Sequence, residues 1–209
     1  MTIQVIQKNQ FHKFAGELES MFKLRAKVFS GKLGWDVQTY EGSERDKYDD
    51  LHPVYVIKTA PGTSEVIASM RLMPTTGPTL LSDVFADTIP DGATISAPSI
   101  WECTRFCIDE HHALVRNNRS DMMNLTSKML LACGEVCVRS GIDSVVANFE
   151  ANSIRLYELL GAPVDILGSS RNYGKRTVYL GMFKFDAEAI AEIKTRHHVR
   201  NHLTTNPSD

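Results

Sequence analysis

Ten consecutive residues constrain the fold of this chain more than any other stretch: Ile100-Trp101-Glu102-Cys103-Thr104-Arg105-Phe106-Cys107-Ile108-Asp109. Their β-branched, aromatic and thiol side chains read as a strand buried in a sheet. Inside that strand sit a carboxylate and a guanidinium, and charged groups are almost never fully buried unless they are paired or functional. A fold built around it must bring counter-charges or a polar ligand into its interior. Glu102 and Arg105 are three residues apart, so a regular strand points them to opposite faces. Both can serve one cleft only if the strand carries a bulge; otherwise one of them is merely structural.

The rest of the pattern surrounds this strand with a mixed sheet. Residues 2–7 read as a short strand, and Phe11, Phe14, Leu18, Met21, Phe22, Val28 and Phe29 recur at helical spacing from Gln10 to Phe29. Arg25 falls on the same stripe, where a guanidinium either meets an anion or snorkels to the rim of the core. Residues 31–50 read as irregular, a lid, a binding loop or a disordered stretch, with Trp35 among Glu41, Glu44, Arg45, Asp46, Asp49 and Asp50; Trp35, Tyr40 and Tyr48 speak against disorder. A single helical turn would put the carboxylates of Asp46 and Asp49 on one side; the competing reading is a solvated acidic loop.

Two strands, 54–59 and 66–73, joined by Pro61-Gly62-Thr63-Ser64, read as a hairpin, with Ile67, Ser69, Arg71 and Met73 on one face. A short helix near 80–86, a long helix from Ser120 or Asp121 to Gly141, a strand at 143–149 and a helix at 152–161 follow. Strands near 164–167 and 176–185 and a helix over 187–197 complete the pattern. This is an α+β arrangement, expected as one domain over residues 1–209.

With 209 residues, 43% hydrophobic and 23% charged, the chain is long enough for a good core and ordinary for a globular protein. A formal charge of −2 gives no global attraction to nucleic acid. No apolar run approaches the roughly 18 residues of a membrane span, and Met1–Ile6 lacks the features of a secretory leader, so a cytoplasmic location is expected. Cys103/Cys107 and Cys133/Cys137 share a four-residue spacing. The first pair would lie roughly 13 Å apart on a regular strand and cannot chelate one ion. The second sits among Met129, Leu130 and Val136, so all four are read as small buried apolar residues and no metal is expected. His197-His198 with Arg200 and His202 read as a polar tail.

The polar set to explain is Arg25, Asp46, Asp49, Arg71, Glu102 and Arg105, with Phe29, Trp35 and Phe106 as aromatic company. Carboxylates and arginines together suit a zwitterionic ligand, with arginine forking a carboxylate and an acid holding or deprotonating an amine. Aromatic faces suit a cation or a stacked base. There is no phosphate loop of the Walker or dinucleotide type. Direct attack of an amine on an activated acyl group fits better than a covalent enzyme intermediate.

Several spaced motifs then resemble the LuxI-type acyl-homoserine-lactone synthases. They are Phe22-Lys23-Leu24-Arg25 with Val28-Phe29, Leu33-Gly34-Trp35-Asp36-Val37, and Glu44-Arg45-Asp46-Lys47-Tyr48-Asp49. They continue through Met70 to Pro78, Asp83-Val84-Phe85 and Trp101 to Phe106. The resemblance implies a fold like the GNAT acyltransferases, with a mixed central sheet flanked by helices and a bulged central strand. It implies that S-adenosylmethionine and acyl-acyl carrier protein are substrates, that no cofactor is needed, and that the methionine amine is acylated before its carboxylate closes the lactone and expels methylthioadenosine.

On that resemblance Glu102, Arg71 and Arg105 carry catalysis, with Glu102 as general base. Arg25, Phe29, Trp35, Asp46, Asp49 and Phe106 bind S-adenosylmethionine, and Met70, Leu72, Phe85, Val146 and Phe149 are candidates for the acyl pocket. A Thr that favours oxo-substituted chains in the family is replaced around Ala147-Asn148-Phe149, and this part resembles a rhizobial subset with long or hydroxylated chains. An acidic carrier protein would dock on a basic surface, either Arg116, Arg119 and Lys128 or Arg171, Lys175 and Arg176.

A rival reading is a GNAT N-acyltransferase using an acyl-CoA donor. Asp109 to Ser120 contains no glycine for a pyrophosphate loop, which weighs against it. A non-catalytic acyl-ligand binder is a third reading, against which the charged set argues.

Overall fold

The computed structural model describes residues 3–115, 119–173 and 176–197. In chain order it begins with β1 (Ile3–Ile6), a 3-10 turn at Lys8–Gln10, and α1 (Ala15–Arg25), which continues directly into a π-helical segment, Ala26–Lys32. Then come the short strands β2 (Thr39–Tyr40) and β3 (Ser43–Glu44), a 3-10 turn at Lys47–Asp50, β4 (Val54–Thr59) and β5 (Val66–Pro74). The helical turn α2 (Leu80–Asp83), a 3-10 turn at Ala86–Thr88, and β6 (Ile100–Ile108) follow. The chain goes on through α3 (Arg119–Ser140), β7 (Ser144–Glu150), α4 (Ala151–Leu159), β8 (Asp165–Ser170), β9 (Val178–Lys184) and α5 (Ala187–His197). Among the described residues the central sheet has seven strands in the order β1-β4-β5-β6-β7-β9-β8. It is mixed: β6 pairs parallel to β7, whereas β1/β4, β7/β9 and β8/β9 are antiparallel. The expected α+β class, a mixed sheet with flanking helices, is what forms.

Internal packing divides the described residues into two compact units, the first from 3–71 and 105–132, the second from 72–104 and 133–197. In the first unit the stripe of α1 buries Leu18, Met21 and Leu24 against Ile6, Tyr55, Ile57, Val66 and Cys107. In the second, Leu81, Val146 and Leu180 form a cluster joined by Phe85, Ile89 and Ile100. Gly168 of β8 belongs to this second unit, and a Cβ there would collide with the carbonyl of Thr88. No helix among the described residues is long and apolar enough to cross a membrane.

Two elements differ from the sequence reading. The first helix begins at Ala15, not near Gln10, because 10–14 close i→i+3 turns, Phe14 N–H to Phe11 C=O at 3.3 Å among them. Phe11 and Phe14 still reach the core from those turns, so the apolar spacing ran on past the helix. The second difference is the segment 31–50, which is largely structured. The helix widens rather than ending at Phe29, with Leu33 N–H donating to Val28 C=O at 2.9 Å, a five-residue step. β2 and β3 then form a hairpin through Glu41 and Gly42, at φ 48° and 75°, the left-handed pair that a two-residue type I′ turn requires.

Candidate active site

The strand that opened the argument is not regular. Arg105 in the middle of β6 has φ 54°, a left-handed conformation that a side-chain-bearing residue adopts only at a cost. That residue interrupts the alternation of β6, so the rule that would send Glu102 and Arg105 to opposite faces no longer applies across it.

Arg105 is thereby aimed at the acids of the segment after the hairpin. Its Nε and NH2 donate to Glu44 Oε1 at 3.2 and 3.0 Å, and NH2 also donates to Asp46 Oδ2 at 2.8 Å. Arg25, at the junction of α1 with the π segment, donates from Nε to Glu44 Oε2 at 2.5 Å and forks Asp49 at 2.8 and 2.9 Å. Arg71, inward on β5, forks Asp46 at 2.5 and 3.0 Å and reaches Asp49 Oδ1 at 2.8 Å. Three guanidinium groups thus meet three carboxylates in an alternating lattice, with bidentate geometry at Arg25–Asp49 and Arg71–Asp46.

Local folding sets this geometry. Asp46 caps the 3-10 turn Lys47–Asp50 by accepting from Tyr48 N–H at 3.0 Å, and Asp49 accepts from Asp46 N–H at 2.9 Å. The three-residue spacing read from the sequence as a helical turn is therefore a reciprocal capping box. The Tyr55 hydroxyl adds a third side-chain donor to Asp49 Oδ1, at 2.7 Å. Arg25, Glu44, Asp49 and Arg71 are 2% exposed or less, while the side chains of Arg105 and Asp46 keep 8% and 16%. Burial by itself would raise the Asp49 carboxyl, but hydrogen bonds and charge from Arg25, then the charge of Arg71, hold it well below the usual carboxylate range. Burial opposes the charge on Arg25 and Arg71 as well; the acids facing them more than offset it, so both are held more firmly protonated than an ordinary arginine.

Aromatic rings border this lattice. The Arg105 guanidinium lies 5.3 Å from the Phe29 ring centroid, and Phe29 packs on Trp35 at 5.4 Å. Trp35 is 37% exposed, so its ring is a surface that a ligand can meet. Phe106 is half-buried next to Arg105 on β6. The structure therefore brings Arg25, Phe29, Trp35, Asp46, Asp49, Arg71 and Arg105 into one cluster.

Glu102 lies in the second unit and is held differently. It is 1% exposed, and its carboxylate accepts from the amides of Leu80 at 3.1 Å and Leu81 at 2.5 Å, the first turn of α2. It pairs in register with Val146, so both side chains share a face of the sheet. Of the acyl-pocket candidates, Val146 and Phe85 join the cluster around Leu81 and Leu180. Phe149 is an odd number of residues from Val146 and packs instead on Tyr157 and Phe183, at 5.3 and 6.1 Å between centroids. The two cannot line one wall of a pocket, because alternation sends them to opposite faces. Met70 and Leu72 are buried on the face of β5 opposite Arg71.

Two members of the lattice escaped the sequence reading. Glu44 is fully buried and joins Arg25 to Arg105, but the argument from i, i+3 spacing singled out only Asp46 and Asp49. Tyr55 looked like an ordinary strand aromatic. Its signal was the placement of a phenol on the same strand face as core residues, where its hydroxyl needed a partner. Cys103 contacts Cys133, which also contacts Cys137, while Cys107 meets Ser69 at 3.3 Å. These thiol contacts hold the Cys133 thiol well above its ordinary range, with burial adding to them. Of the basic candidates, Arg119 and Arg171 are exposed, Lys128 is half-buried, and Arg176 pairs with Glu150 at 2.6 Å. Arg116, Lys175, His198, Arg200 and His202 lie outside the described residues.

Comparison with known proteins places the chain in one family. The family model described as autoinducer synthase matches residues 9–193. An acyl-homoserine-lactone synthase of Rhizobium etli is 28% identical over 188 residues, covering 89% of this chain and 85% of the relative. One from Ralstonia solanacearum is 30% identical over 171 residues, covering 81% and 82%. Among solved structures, the CoA-dependent acyl-homoserine lactone synthase BjaI with SAM and isopentyl-CoA superposes with a TM-score of 0.85 at 24% identity, over 97% of this chain and 92% of that one. The synthase TofI, in a ternary complex with an inhibitor and MTA, gives 0.75 at 26% identity, over 93% and 97%. A lattice of three arginines and three acids bordered by aromatic rings, on a mixed sheet shared with these enzymes, leads to one conclusion: the chain belongs to the autoinducer synthase family and is an acyl-homoserine-lactone synthase, an acyltransferase.

Proposed function

We propose that this synthase acylates the amine of S-adenosylmethionine from acyl-acyl carrier protein and then closes the homoserine lactone. The observation that carries the reading is the partial exposure at one edge of the ion lattice, where Asp46, Arg105, Phe29 and Trp35 meet. That edge offers an acid for an ammonium, a guanidinium for a carboxylate and aromatic faces for a sulfonium or a purine. The buried remainder, Arg25, Glu44, Asp49 and Arg71, is tied to Asp46 and Arg105 by ion pairs and acts by holding that edge in place.

In the first step the amine nitrogen, once deprotonated, attacks the thioester carbonyl carbon. The C–S bond to the donor breaks, the thiol leaves with a proton, and an amide remains. Glu102 is assigned the proton from the amine, directly or through water. The amides of Leu80 and Leu81 hold that carboxylate in place at the start of α2. In the second step a carboxylate oxygen attacks the side-chain carbon bonded to the sulfonium. The C–S electron pair goes to sulfur, releasing methylthioadenosine and closing the lactone ring. No cofactor is required. Phe85, Val146 and the apolar residues around them are assigned the acyl chain, and Arg119 or Arg171 the acidic carrier.

An acyl-CoA donor is the second reading, favoured by the likeness to BjaI, which is described as CoA-dependent; the glycine-free stretch 110–120 speaks for the carrier protein. Four free cysteines suit a reducing compartment, and the cytoplasm is the proposed location. Incubating the purified chain with S-adenosylmethionine and each acyl donor, with mass spectrometry of the products, tests the proposal. An N-acyl-homoserine lactone and methylthioadenosine are expected in equal amounts; absence of the lactone with both donors overturns it.

A further inference from the structure

Within the first unit, the end of β1 and the turn after it face the lead-in to β4 across a cavity of about 550 Å³. Its lining is Gln7, Lys8, Asn9, His12, His52 and Val54, so none of the ion-lattice residues takes part and no carboxylate is present. Lys8 Nζ lies 2.6 Å from His52 Nε2. An ammonium group can only donate, so in this contact Nε2 is the acceptor. In this lining the lysine meets a ring rather than an acid. Asp50, two residues before His52, is engaged with Arg45 at 2.5 Å.

His52 holds its ring there from a costly backbone position. Its φ is 60°, and it precedes Pro53, which further narrows the conformations open to it. Backbone strain of this kind persists only where the surroundings over-determine it. Here it directs an imidazole to within hydrogen-bond distance of Lys8 at the cavity.

We propose that this cavity binds the phosphate group of a small phosphomonoester. A cation and two imidazoles drawn from two segments of the chain, with the side chain of Asn9, suit a tetrahedral dianion. A planar carboxylate would instead call for the fork of an arginine, and the lining has none. The volume exceeds what one inorganic phosphate fills, which leaves room for an organic group over Val54. His52 follows Asp49 by three residues, so an occupant would brace the end of the turn that carries Asp46 and Asp49. The proposal is independent of the acyl-transfer reading.

Imidazole resonances of the full chain, assigned with His12→Asn and His52→Asn, are titrated with inorganic phosphate, glycerol phosphate and succinate at constant ionic strength. Saturable shifts of the His12 and His52 signals are expected with the phosphate compounds, with apparent affinity at least about 10-fold weaker in Lys8→Met. Tighter binding of glycerol phosphate than of phosphate identifies an ester as the occupant, and equal binding identifies free phosphate; both support the site. His52→Asn, which tolerates a left-handed backbone, should bind weakly while remaining folded. Shifts that fail to saturate, that persist unchanged in Lys8→Met, or that succinate reproduces equally overturn the proposal. Lys8→Met should leave lactone synthesis unchanged, so loss of binding and loss of activity are read separately.

Discussion

The two compact units bury carboxylates in opposite ways. In the first, Glu44 and Asp49 are neutralised by full positive charges, and every guanidinium in the lattice bridges two acids. In the second, Glu102 accepts from two main-chain amides at the start of α2, dipoles that stabilise charge without carrying any. The first arrangement locks a protonation state, because removing a proton or a partner there disturbs a whole network. The second holds a carboxylate by dipoles at the start of a helical turn, an arrangement that suits the proton transfer proposed for Glu102.

Substitutions can break that contrast, starting with the largest effect. Glu102→Gln should slow amide formation by about 10²–10⁴-fold if the residue is the general base. The structure adds a cost that the sequence did not show. The amide NH2 of Gln must face either Leu80 N–H or Leu81 N–H, leaving one buried donor unmet at about 1–3 kcal/mol. Rate at saturating substrate and urea unfolding, measured on the same sample, separate the two; unaltered turnover would remove Glu102 from the chemistry. Arg25→Met should instead act on stability, by about 3–5 kcal/mol, because Glu44 and Asp49 lose their shared cation in a buried site. A loss below 1 kcal/mol would show that the lattice is not structural.

Acid should act on the first unit in the same sense. The Asp49 carboxyl is depressed in the folded protein, so its contribution is present above the unfolded carboxylate range and fades as pH falls through and below it. Urea midpoints should be unaffected by this group between about pH 5 and 7 and should drop below about pH 4; Asp49→Asn should flatten that drop. Tyr55→Phe removes one donor from Asp49 Oδ1 while the arginines remain, and should cost about 1.5 kcal/mol in urea unfolding. An unchanged midpoint would show that the arginines alone position Asp49. The smallest effect compares two truncations. Arg105→Gly and Arg105→Ala lose the same ion pairs, yet Gly should be the more stable by about 1 kcal/mol because it accepts a left-handed backbone freely. The reverse order would mean that the strand is regular in solution.

Much of this was legible from residues alone because the signals were local. The strand Val54–Thr59, the hairpin to β5, the long α3 and the final helix follow from alternation, turn residues and helical spacing. The charged residues stood out because each broke an apolar pattern that named its neighbours. What was missed depended on non-local partners. Glu44 gained its importance from Arg25 and Arg105, 19 and 61 positions away, and nothing within its own segment announced that. Phe149 was grouped with Val146 because both are apolar, while one step of alternation separates their faces. The thiol contact between Cys103 and Cys133 joins a strand to a helix and was invisible to spacing arguments made within each pair.

The left-handed residue in β6 also says something about the order in which the molecule assembles. An arginine prefers extended or right-handed backbone, so the far half of that strand has no local reason to adopt its native path. The ion pairs of Arg105 with Glu44 and Asp46 form only after closing a loop of about 60 residues, at an entropic cost that rises with the logarithm of loop length. The near half, Ile100–Glu102, already has β7 as a template. The strand is therefore expected to form in two stages, with φ-values near zero at Arg105 and higher values at Ile100 and Val145; a φ-value near one at Arg105 would show that the kink forms early.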